Sequence, residues 1–434
     1  METWFERSAP GRFLNTLGTL PVRLLAPLAA GKVRAGGPLR PRHWVLALGL
    51  AGMLCVPHEA WNNLYGVLFA FAALALYWWD CAAERRQPLS SAALGPGVWA
   101  FLTVCLLVLC RAGSAVGHLR ILIFLLTGFT LTYLTAASME DEGFPDLLCG
   151  CVTAALALTA VYGLLRYALG TENYFVPMSG RLYPRLGSTL EHGINYSEFT
   201  AMALPVSLVW AAGRKGRKRV LLLLLLLPPC AAVLLTYART GWVALAAALV
   251  VLLWFYNKKL LIPAVIAGVA AVFLLPAGIR ERLLSMLQFN DAGSSGRFTL
   301  WSECLRMLRD HWLLGVGLGP ENFYPVYQSY STGALAFQPP HANMGYLEIF
   351  LSVGAAGFAA YLSFFLGILF RLGKARRAEQ DPGRLWLNRA LTASLTAAAV
   401  ANVPEHLWFY PRILFFWCMI FGMAVGISKT PKDD

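Results

Sequence analysis

Long apolar segments follow one another along nearly the whole chain of 434 residues, and they limit the folds that it can adopt. Hydrophobic residues make up 58% of the sequence and charged residues only 14%, a balance that soluble domains rarely reach. One helix needs about 20 apolar residues to cross a bilayer. The apolar segments cover residues 44–57, 61–79, 93–110, 119–138, 147–169, 196–213, 219–238, 242–256, 260–278, 343–370, 386–402 and 413–427. The sequence therefore predicts an all-α polytopic membrane protein with about twelve transmembrane helices.

Basic residues lie in short clusters between the apolar segments, and their placement predicts the orientation. The net charge of +13 is distributed through loops, so it carries topology information and no nucleic-acid partner is expected. If the N-terminus is cytoplasmic, all eight lysines fall on the cytoplasmic side, as the positive-inside rule requires. An even number of helices places the C-terminus on the same side.

A single membrane domain accounts for most of the chain. We expect a basic cytoplasmic arm at 1–43, a membrane domain at 44–428 and a cytoplasmic tail at 429–434. An apolar stretch in the arm can rest in the membrane interface, and a poorly ordered tail is the alternative. The longest loop, 279–342, is predicted to lie on the outer face between spans nine and ten and to contain amphipathic helices.

The outer-face loops of this topology contain several arginines, whose planar guanidinium group suits phosphate and carboxylate. Arg181 and Arg185 lie in the loop at 170–195. Arg239 occupies a tight turn between two spans, where a charge is costly unless it meets an anion or an acid. Arg297 opens a predicted helix, and free N–H groups at a helix start favour a phosphate. Ordinary snorkelling, acid-paired or solvated arginines are the alternative interpretation.

The helix that Arg297 opens is predicted to be amphipathic. Leu300, Cys304 and Leu308 recur at helical spacing, and Leu305 extends the same face. A helix of this kind in an outer loop is expected to lie along the membrane surface.

A histidine stands at the outer mouth of the tenth predicted span. His341 follows two prolines, and a histidine here can act as a general base near neutral pH, with a structural histidine as the alternative. Glu348 follows on the same helix face, about two turns deeper. Tyr324 and Tyr327 can stack on sugar rings, although packing of the loop is the simpler interpretation. Metal-ligand spacings and a phosphate-binding glycine loop are absent from the sequence, so neither a metal nor a cofactor is expected.

These features together resemble the O-antigen ligase and O-antigen polymerase superfamily of bacterial membrane glycosyltransferases. The resemblance runs from about residue 180 to 425 and rests on loose motifs in a given order, spacing and sidedness. The motifs are Arg185-Leu186-Gly187-Ser188-Thr189, the turn at 235–241 around Arg239, Arg297 with Trp301, the segment 311–323, and the segment 341–348. Ala238 and Ala342 depart from the family pattern, which leaves ligase and polymerase both open.

The resemblance implies transfer of a glycan from an undecaprenyl-diphosphate carrier to an acceptor hydroxyl without a metal. The reaction would take place at the outer face of the cytoplasmic membrane of a bacterium. Its partners would be the lipid-linked glycan donor, a glycan or lipid acceptor, and the bilayer. A single displacement would invert the anomeric carbon.

The resemblance also implies roles for individual residues. His341 would deprotonate the acceptor hydroxyl, and Glu348 would orient its imidazole. Fixed guanidinium groups would stabilise the leaving diphosphate in place of a cation. The expected site contains catalytic His341, Arg297 and Arg239 and substrate-binding Arg185, Arg181, Glu348, Tyr324 and Tyr327.

Two other functions fit parts of the sequence. A polymerase of the same superfamily would use the same chemistry to extend a lipid-linked chain. A multi-span lipid or solute transporter would instead show polar residues or broken helices near the bilayer midplane. The predicted spans are mainly Leu, Ala and Val, and Arg166 and Arg389 are the main features that favour a transporter.

Overall fold

A computed structural model describes residues 5, 8–29, 39–178, 180–287, 292–333, 335 and 338–429. Residues 30–38 of the predicted arm and 430–434 of the predicted tail lie outside the described residues. The described chain is all-α except for one antiparallel hairpin, in which Phe175 pairs with Pro184 and Met178 with Arg181. This confirms the all-α fold class.

The helices of the first half are α1 Ala9–Ala29, α2 Pro41–Cys55, α3 Asn63–Ala83, α4 Pro96–Val108, α5 Ala115–Ser138, α6 Phe144–Ala168 and α7 Gly193–Ala212, with strands β1 Phe175–Met178 and β2 Arg181–Pro184 between α6 and α7. The second half contains α8 Gly216–Leu224, α9 Leu227–Leu235, α10 Arg239–Asn257, α11 Leu261–Leu274, α12 Ala277–Leu284, α13 Ala292–His311, α14 Pro320–Tyr327, α15 Gly345–Ala378, α16 Pro382–Ala401 and α17 Pro411–Ile427.

Each predicted apolar segment coincides with a helix or, for 219–238, with the pair α8 and α9. Six helical runs among the described residues are long and apolar enough to cross a membrane: Asn63–Ala83, Ala115–Ser138, Phe144–Ala168, Gly216–Leu235, Arg239–Leu274 and Gly345–Ala378. Two shorter apolar helical runs are Pro96–Arg111 and Pro411–Ile427. The protein is therefore a multi-pass membrane protein, and the number of twelve spans stays a prediction.

Helices α10 and α11 join through a 3₁₀ turn at Lys258–Leu260. A straight helix over the 36 residues of this run would be about 54 Å long. However, Arg239 Nη1 at the start of α10 donates to the carbonyl of Ser285, 3.4 Å away and beyond α12. The chain therefore returns to the end of the bundle from which α10 starts, as two predicted spans require.

Helix α17 lies at the centre of the bundle. Every residue from Arg412 to Ile427 is buried, in agreement with a helix that is apolar on all faces. Its closest neighbour is α5, where Thr132 Oγ1 donates to the carbonyl of Cys418 at 2.9 Å. A buried central helix of this kind fixes the position of the loop that precedes it, residues 402–410.

Interactions between loops define two ends of the bundle. At one end, which we call the Arg412 end, Arg412 Nη1 donates to the carbonyl of Thr189 at 2.9 Å, and its Nε and other Nη donate to carbonyls at the C-terminal end of α2. At the other, the Arg42 end, Arg42 pairs with Asp141 and, at 3.0 Å, with Asp80. Loops predicted to share one side of the membrane thus meet at the same end.

The predicted interfacial stretch of the N-terminal arm forms helix α1, which packs beside α3.

The predicted outer loop also contains helices, but α13 differs from its expected position on the membrane surface. Leu300 and Cys304 are fully buried against α14 and α15, and Leu305 is exposed. The apolar face of α13 finds protein partners, so the helix forms part of a small second core.

Helix α15 is broken at Gly354, which has φ +67°. The break frees the carbonyls of the preceding turn, and the segment 312–317 supplies new partners. Val316 N–H donates to the carbonyl of Leu351 at 2.8 Å, and Gly317 N–H to that of Ser352 at 3.0 Å. The segment 312–317 is thereby held against the first half of α15, where Ser352 lines the same small cavity as His341.

Replacing Gly354 by alanine is expected to destabilise the protein by roughly 1–3 kcal/mol or more. A Cβ there would lie 2.3 Å from the carbonyl oxygen of Leu313, and the positive φ adds strain. Thermal unfolding in detergent should show a lower Tm. Gly367→Ala is the matched control in the same helix, because a Cβ at Gly367 meets nothing within 4 Å. Equal Tm values for the two variants would contradict this account of the break.

Candidate active site

Arg185 is held between two loops at the Arg412 end. Its backbone N–H donates to the carbonyl of Tyr174 at 2.8 Å, and its Nε donates to the carbonyl of Thr236 at 2.9 Å. The neighbouring Leu186 N–H donates to the carbonyl of Leu235 at 3.0 Å. The hairpin loop is thereby fastened to the turn that follows α9, and Arg185 is brought beside Arg239.

Arg239 begins α10 immediately after that turn, as the sequence predicted. The turn is tight because Tyr237 adopts a positive φ of 52° and Trp242 Nε1 donates back to the carbonyl of Val233 at 2.8 Å. Thr240, the next residue, places its hydroxyl 3.4 Å from Oε1 of Glu405. The arginine turn therefore faces the loop 402–410.

Arg297 reaches the same loop from α13. The helix begins at Ala292, so Arg297 lies in its second turn, not at its start as the sequence suggested. Free N–H groups at the helix start are therefore not beside the guanidinium group. Instead, Arg297 Nη2 forms an ion pair with Oε1 of Glu405.

Glu405 is the buried carboxylate of this group, and its direct ion-pair partner is Arg297. Its side chain is only 9% exposed, against 29% for Arg297. Arg185 also interacts with it electrostatically. Burial raises the pKa of the Glu405 carboxyl above its ordinary value, while Arg297, Thr240 and Arg185 act in the opposite direction. Sequence reasoning missed this residue.

A second carboxyl group that the sequence analysis missed is Glu198. It is buried on α7 and interacts electrostatically with Glu405 and Arg297. The signal available in the sequence was charge balance: several arginines in loops predicted to share one face need acidic partners. Spacing alone did not indicate which acids supply them.

His341 lies next to this charged group, in the loop just before α15. It is buried, and its ring centroid is 5.4 Å from that of His406 and 4.3 Å from that of Phe409. The backbone N–H of Asn343 donates to its Nδ1 at 3.1 Å. Burial, and after it the charge of Arg297, lowers the pKa of His341 to about 4. The imidazole is therefore neutral at pH 7.

Glu348 supports the histidine loop through the backbone. Its Oε2 accepts a hydrogen bond from Ala342 N–H at 2.8 Å, and its Oε1 lies 3.5 Å from the hydroxyl of Ser352. The residue after His341 is thereby fixed to the first turn of α15. The carboxylate thus positions the loop that carries the imidazole.

A small cavity adjoins these side chains. Its volume is about 40 Å³, and His341, Glu348, His406 and Ser352 contribute its polar wall beside apolar residues such as Phe409. A space of this size holds one or a few water molecules but not a sugar ring. A larger substrate must therefore approach His341 from outside the cavity.

The other predicted residues lie farther from this group. Arg181 is exposed on the hairpin. Tyr327 is buried and donates its hydroxyl hydrogen to Glu303, and its ring stacks on Phe323. Tyr324 is half-buried and accepts a hydrogen bond from Gln328 at 3.0 Å. These contacts agree with packing of the loop, the simpler of the two interpretations offered by the sequence.

Among the described residues, no group of three or more His, Cys, Asp or Glu side chains could hold a metal ion. The cluster instead combines three guanidinium groups, a buried carboxylate and a neutral imidazole. Such a group can bind an anion through fixed donors and can exchange a proton beside it.

Two comparisons with known proteins bear on this site. The chain has no match among curated proteins. Residues 220–362, which include Arg239, Arg297, His341 and Glu348, match the family described as O-antigen ligase. This match supports the resemblance to the O-antigen ligase and O-antigen polymerase superfamily.

Proposed function

We propose that the protein transfers a glycan from an undecaprenyl-diphosphate carrier to an acceptor hydroxyl at the outer face of the cytoplasmic membrane. The proposal rests on a group in which Arg297 and Arg185 interact with the buried Glu405, Arg239 lies close to Arg185, and a neutral histidine lies beside them. Fixed guanidinium groups of this kind bind an anionic ligand such as a lipid diphosphate.

In the reaction, the acceptor oxygen attacks the anomeric carbon as the bond from that carbon to the diphosphate oxygen breaks. The electron pair of the broken bond stays on the diphosphate, where the arginines stabilise the developing charge. The acceptor proton passes to the imidazole of His341. One displacement of this kind inverts the anomeric carbon, and it requires no metal step.

The tautomer of His341 decides which of its ring nitrogens could accept a proton from the acceptor hydroxyl. A neutral imidazole carries one proton, and the hydrogen bond from Asn343 N–H to Nδ1 places that proton on Nε2. In this tautomer Nε2–H can donate a hydrogen bond to an oxygen of the lipid-linked glycan. To act as a base, Nδ1 must release Asn343 and face the acceptor. The two roles differ in whether the residue needs a basic nitrogen.

The dependence on pH follows from the lowered pKa of His341. A base acts unprotonated, so kcat/KM is expected to fall only as the pH drops through about 4, not through 6.5. Arg297→Gln removes a positive neighbour and should move this acid limb to higher pH. An unfolded chain takes up the proton below pH 6.5, so folding stability should also decline from there towards pH 4. An acid limb near 6.5 in the parent protein would contradict the buried imidazole.

The proposal is tested with purified protein in nanodiscs, an undecaprenyl-diphosphate glycan and a set of acceptors, with mass analysis of the products. Transfer of one glycan to a distinct acceptor supports a ligase. A ladder of lipid-linked repeat units identifies a polymerase, and the absence of any transferred product with every acceptor counts against both.

A transporter is the second candidate, and the break in α15 at Gly354 is the observation that favours it. Backbone groups freed by a break serve a transporter when they line a substrate path. Here the carbonyls of Leu351 and Ser352 accept from Val316 and Gly317 instead. Movement of a labelled glycan lipid across vesicles without transfer would favour this candidate.

A further inference from the structure

A large cavity lies at the Arg42 end of the bundle, away from the candidate active site. It has a volume of about 550 Å³ and is bounded by α1, α3, α4 and α5 together with residues 87–91. Leu74, Trp78, Trp99 and Phe129 are among its apolar walls. Leu126, which also lines it, is 46% exposed, so the cavity opens towards the surface of the bundle. Nothing in glycan transfer at the Arg412 end uses this space.

One side of the cavity is polar and belongs to α1. Asn15 Oδ1 accepts hydrogen bonds from the hydroxyls of Ser90, at 3.1 Å, and Ser91, at 3.0 Å. In the described part of the chain the Asn15 amide nitrogen makes no hydrogen bond. An amide donor thus remains at the rim of an otherwise apolar space.

Arginines flank this rim. Arg12 precedes Asn15 by three residues and Arg23 follows Thr19 by four, so all four share one face of α1. Both arginines are exposed, and α1 has no acidic residue. In the structure as described, neither forms a salt bridge. The rim of the cavity therefore carries positive charge beside hydrogen-bond donors.

The opposite face of α1 is apolar and exposed. It consists of Phe13, Leu20, Leu24 and Leu28, each exposed by 50% or more. In a multi-pass membrane protein such a face is solvated by lipid. Helix α1 thus separates this exposed apolar face from the cavity. Exposed arginines on a lipid-facing helix favour a position near the headgroups.

We propose that this cavity binds one acyl chain of an anionic phospholipid, whose headgroup phosphate is bound by Arg12 and Arg23 at its rim. The apolar walls receive the hydrocarbon chain, and Asn15 and Thr19 face the polar junction between chain and headgroup. A bilayer lipid is the occupant because the surrounding solvent is lipid and the flanking charge is positive. The site lies outside the transfer machinery and does not depend on it.

The test uses the full chain in phosphatidylcholine nanodiscs that contain a small fraction of phosphatidylglycerol with a diazirine in its acyl chain. After irradiation, mass analysis should find adducts on peptides that contain Trp78, Trp99 or Phe129. Diazirine-labelled phosphatidylcholine is the comparison lipid. Arg12→Gln with Arg23→Gln is expected to reduce the preference for the anionic lipid by about tenfold.

Gly18→Trp tests the cavity itself. Gly18 lines the cavity and a Cβ there meets nothing within 4 Å, so an indole can project into the space. Most of the adducts on the cavity peptides should disappear. Leu20→Trp, on the exposed face, is the matched control and should keep them.

Two results would overturn the proposal. Adducts that persist unchanged in Gly18→Trp would show that the chain does not enter the cavity. Equal labelling by both lipids, unaffected by the arginine substitutions, would show that no anionic headgroup is selected. Size-exclusion profiles and Tm values confirm that each variant is folded. Glycan transfer, measured separately, keeps a failure here distinct from a failure of the proposed reaction.

Discussion

Replacing His341 by alanine is expected to reduce kcat for glycan transfer by about 10²–10⁴-fold, the range typical of a lost general acid or base. In the proposed reaction the neutral imidazole accepts the proton of the acceptor hydroxyl, and its loop is held by Glu348 through the N–H of Ala342. Transfer from a lipid-linked glycan, followed by mass analysis under single-turnover conditions, measures the effect. Truncation of this buried ring, which packs on Phe409 and His406, should also lower the Tm somewhat, so a size-exclusion profile shows separately that the variant remains folded.

His311→Ala is the matched control, because this histidine of the same predicted loop contacts Tyr330 at the end of α13 and lies outside the site. His341→Asn separates the two roles of the ring: its amide can donate a hydrogen bond, but it has no basic nitrogen. Loss of activity in both His341 variants supports a base, whereas substantial activity in the asparagine variant supports Nε2–H as a donor. Full activity in His341→Ala would remove His341 from the chemistry.

Replacing Arg297 by glutamine is expected to lower both stability and activity. Glu405 would lose its ion-pair partner while staying buried, which costs roughly 2–3 kcal/mol of unfolding free energy. Loss of a fixed donor to the diphosphate should also lower kcat by about 10²–10³-fold. Thermal unfolding and the transfer assay measure the two effects independently. Arg309→Gln, an exposed arginine of the same helix, is the control and should change neither.

The double variant Arg297→Gln with Glu405→Gln distinguishes the two roles of the arginine. Neutral amides remove the unpaired buried charge, so much of the lost stability should return. Activity should stay low, because the donor diphosphate still lacks the guanidinium group. If activity returned together with stability, Arg297 would serve only to hold Glu405, and diphosphate binding would have to be assigned to Arg185 and Arg239.

Helix positions were predictable because the hydrocarbon core of a bilayer offers no hydrogen-bond partners, so backbone N–H and C=O groups there must bond to each other. Each long apolar segment must then be helical, and the structure has a helix or helix pair at every predicted segment. The arrangement of arginines and His341 in loops predicted to share one face was also visible. Residues of such loops can meet only at one end of the bundle, and Arg185, Arg239 and Arg297 do so.

Contacts between residues that are far apart in the sequence were not predictable in the same way. Arg297 and Glu405 are separated by 108 positions, and no periodicity connects them. The sequence indicated that several arginines needed an acid, but only the position of the 402–410 loop, which brings Glu405 to Arg297, decided that Glu405 supplies it. The face of α13 was misassigned for a related reason, since an amphipathic pattern does not tell whether the apolar side meets lipid or another helix.

The sequence by itself determined the membrane class, the helix positions and the chemistry available to the loops that it predicts on one face, because each depends on local composition and on the solvent that surrounds the chain. Only the tertiary structure decided that Gly354 breaks α15, that the loop 312–317 satisfies the break, and that Glu348 holds the backbone beside His341. These features depend on hydrogen-bond partners from other parts of the chain, and such partners are assigned only when the helices have packed.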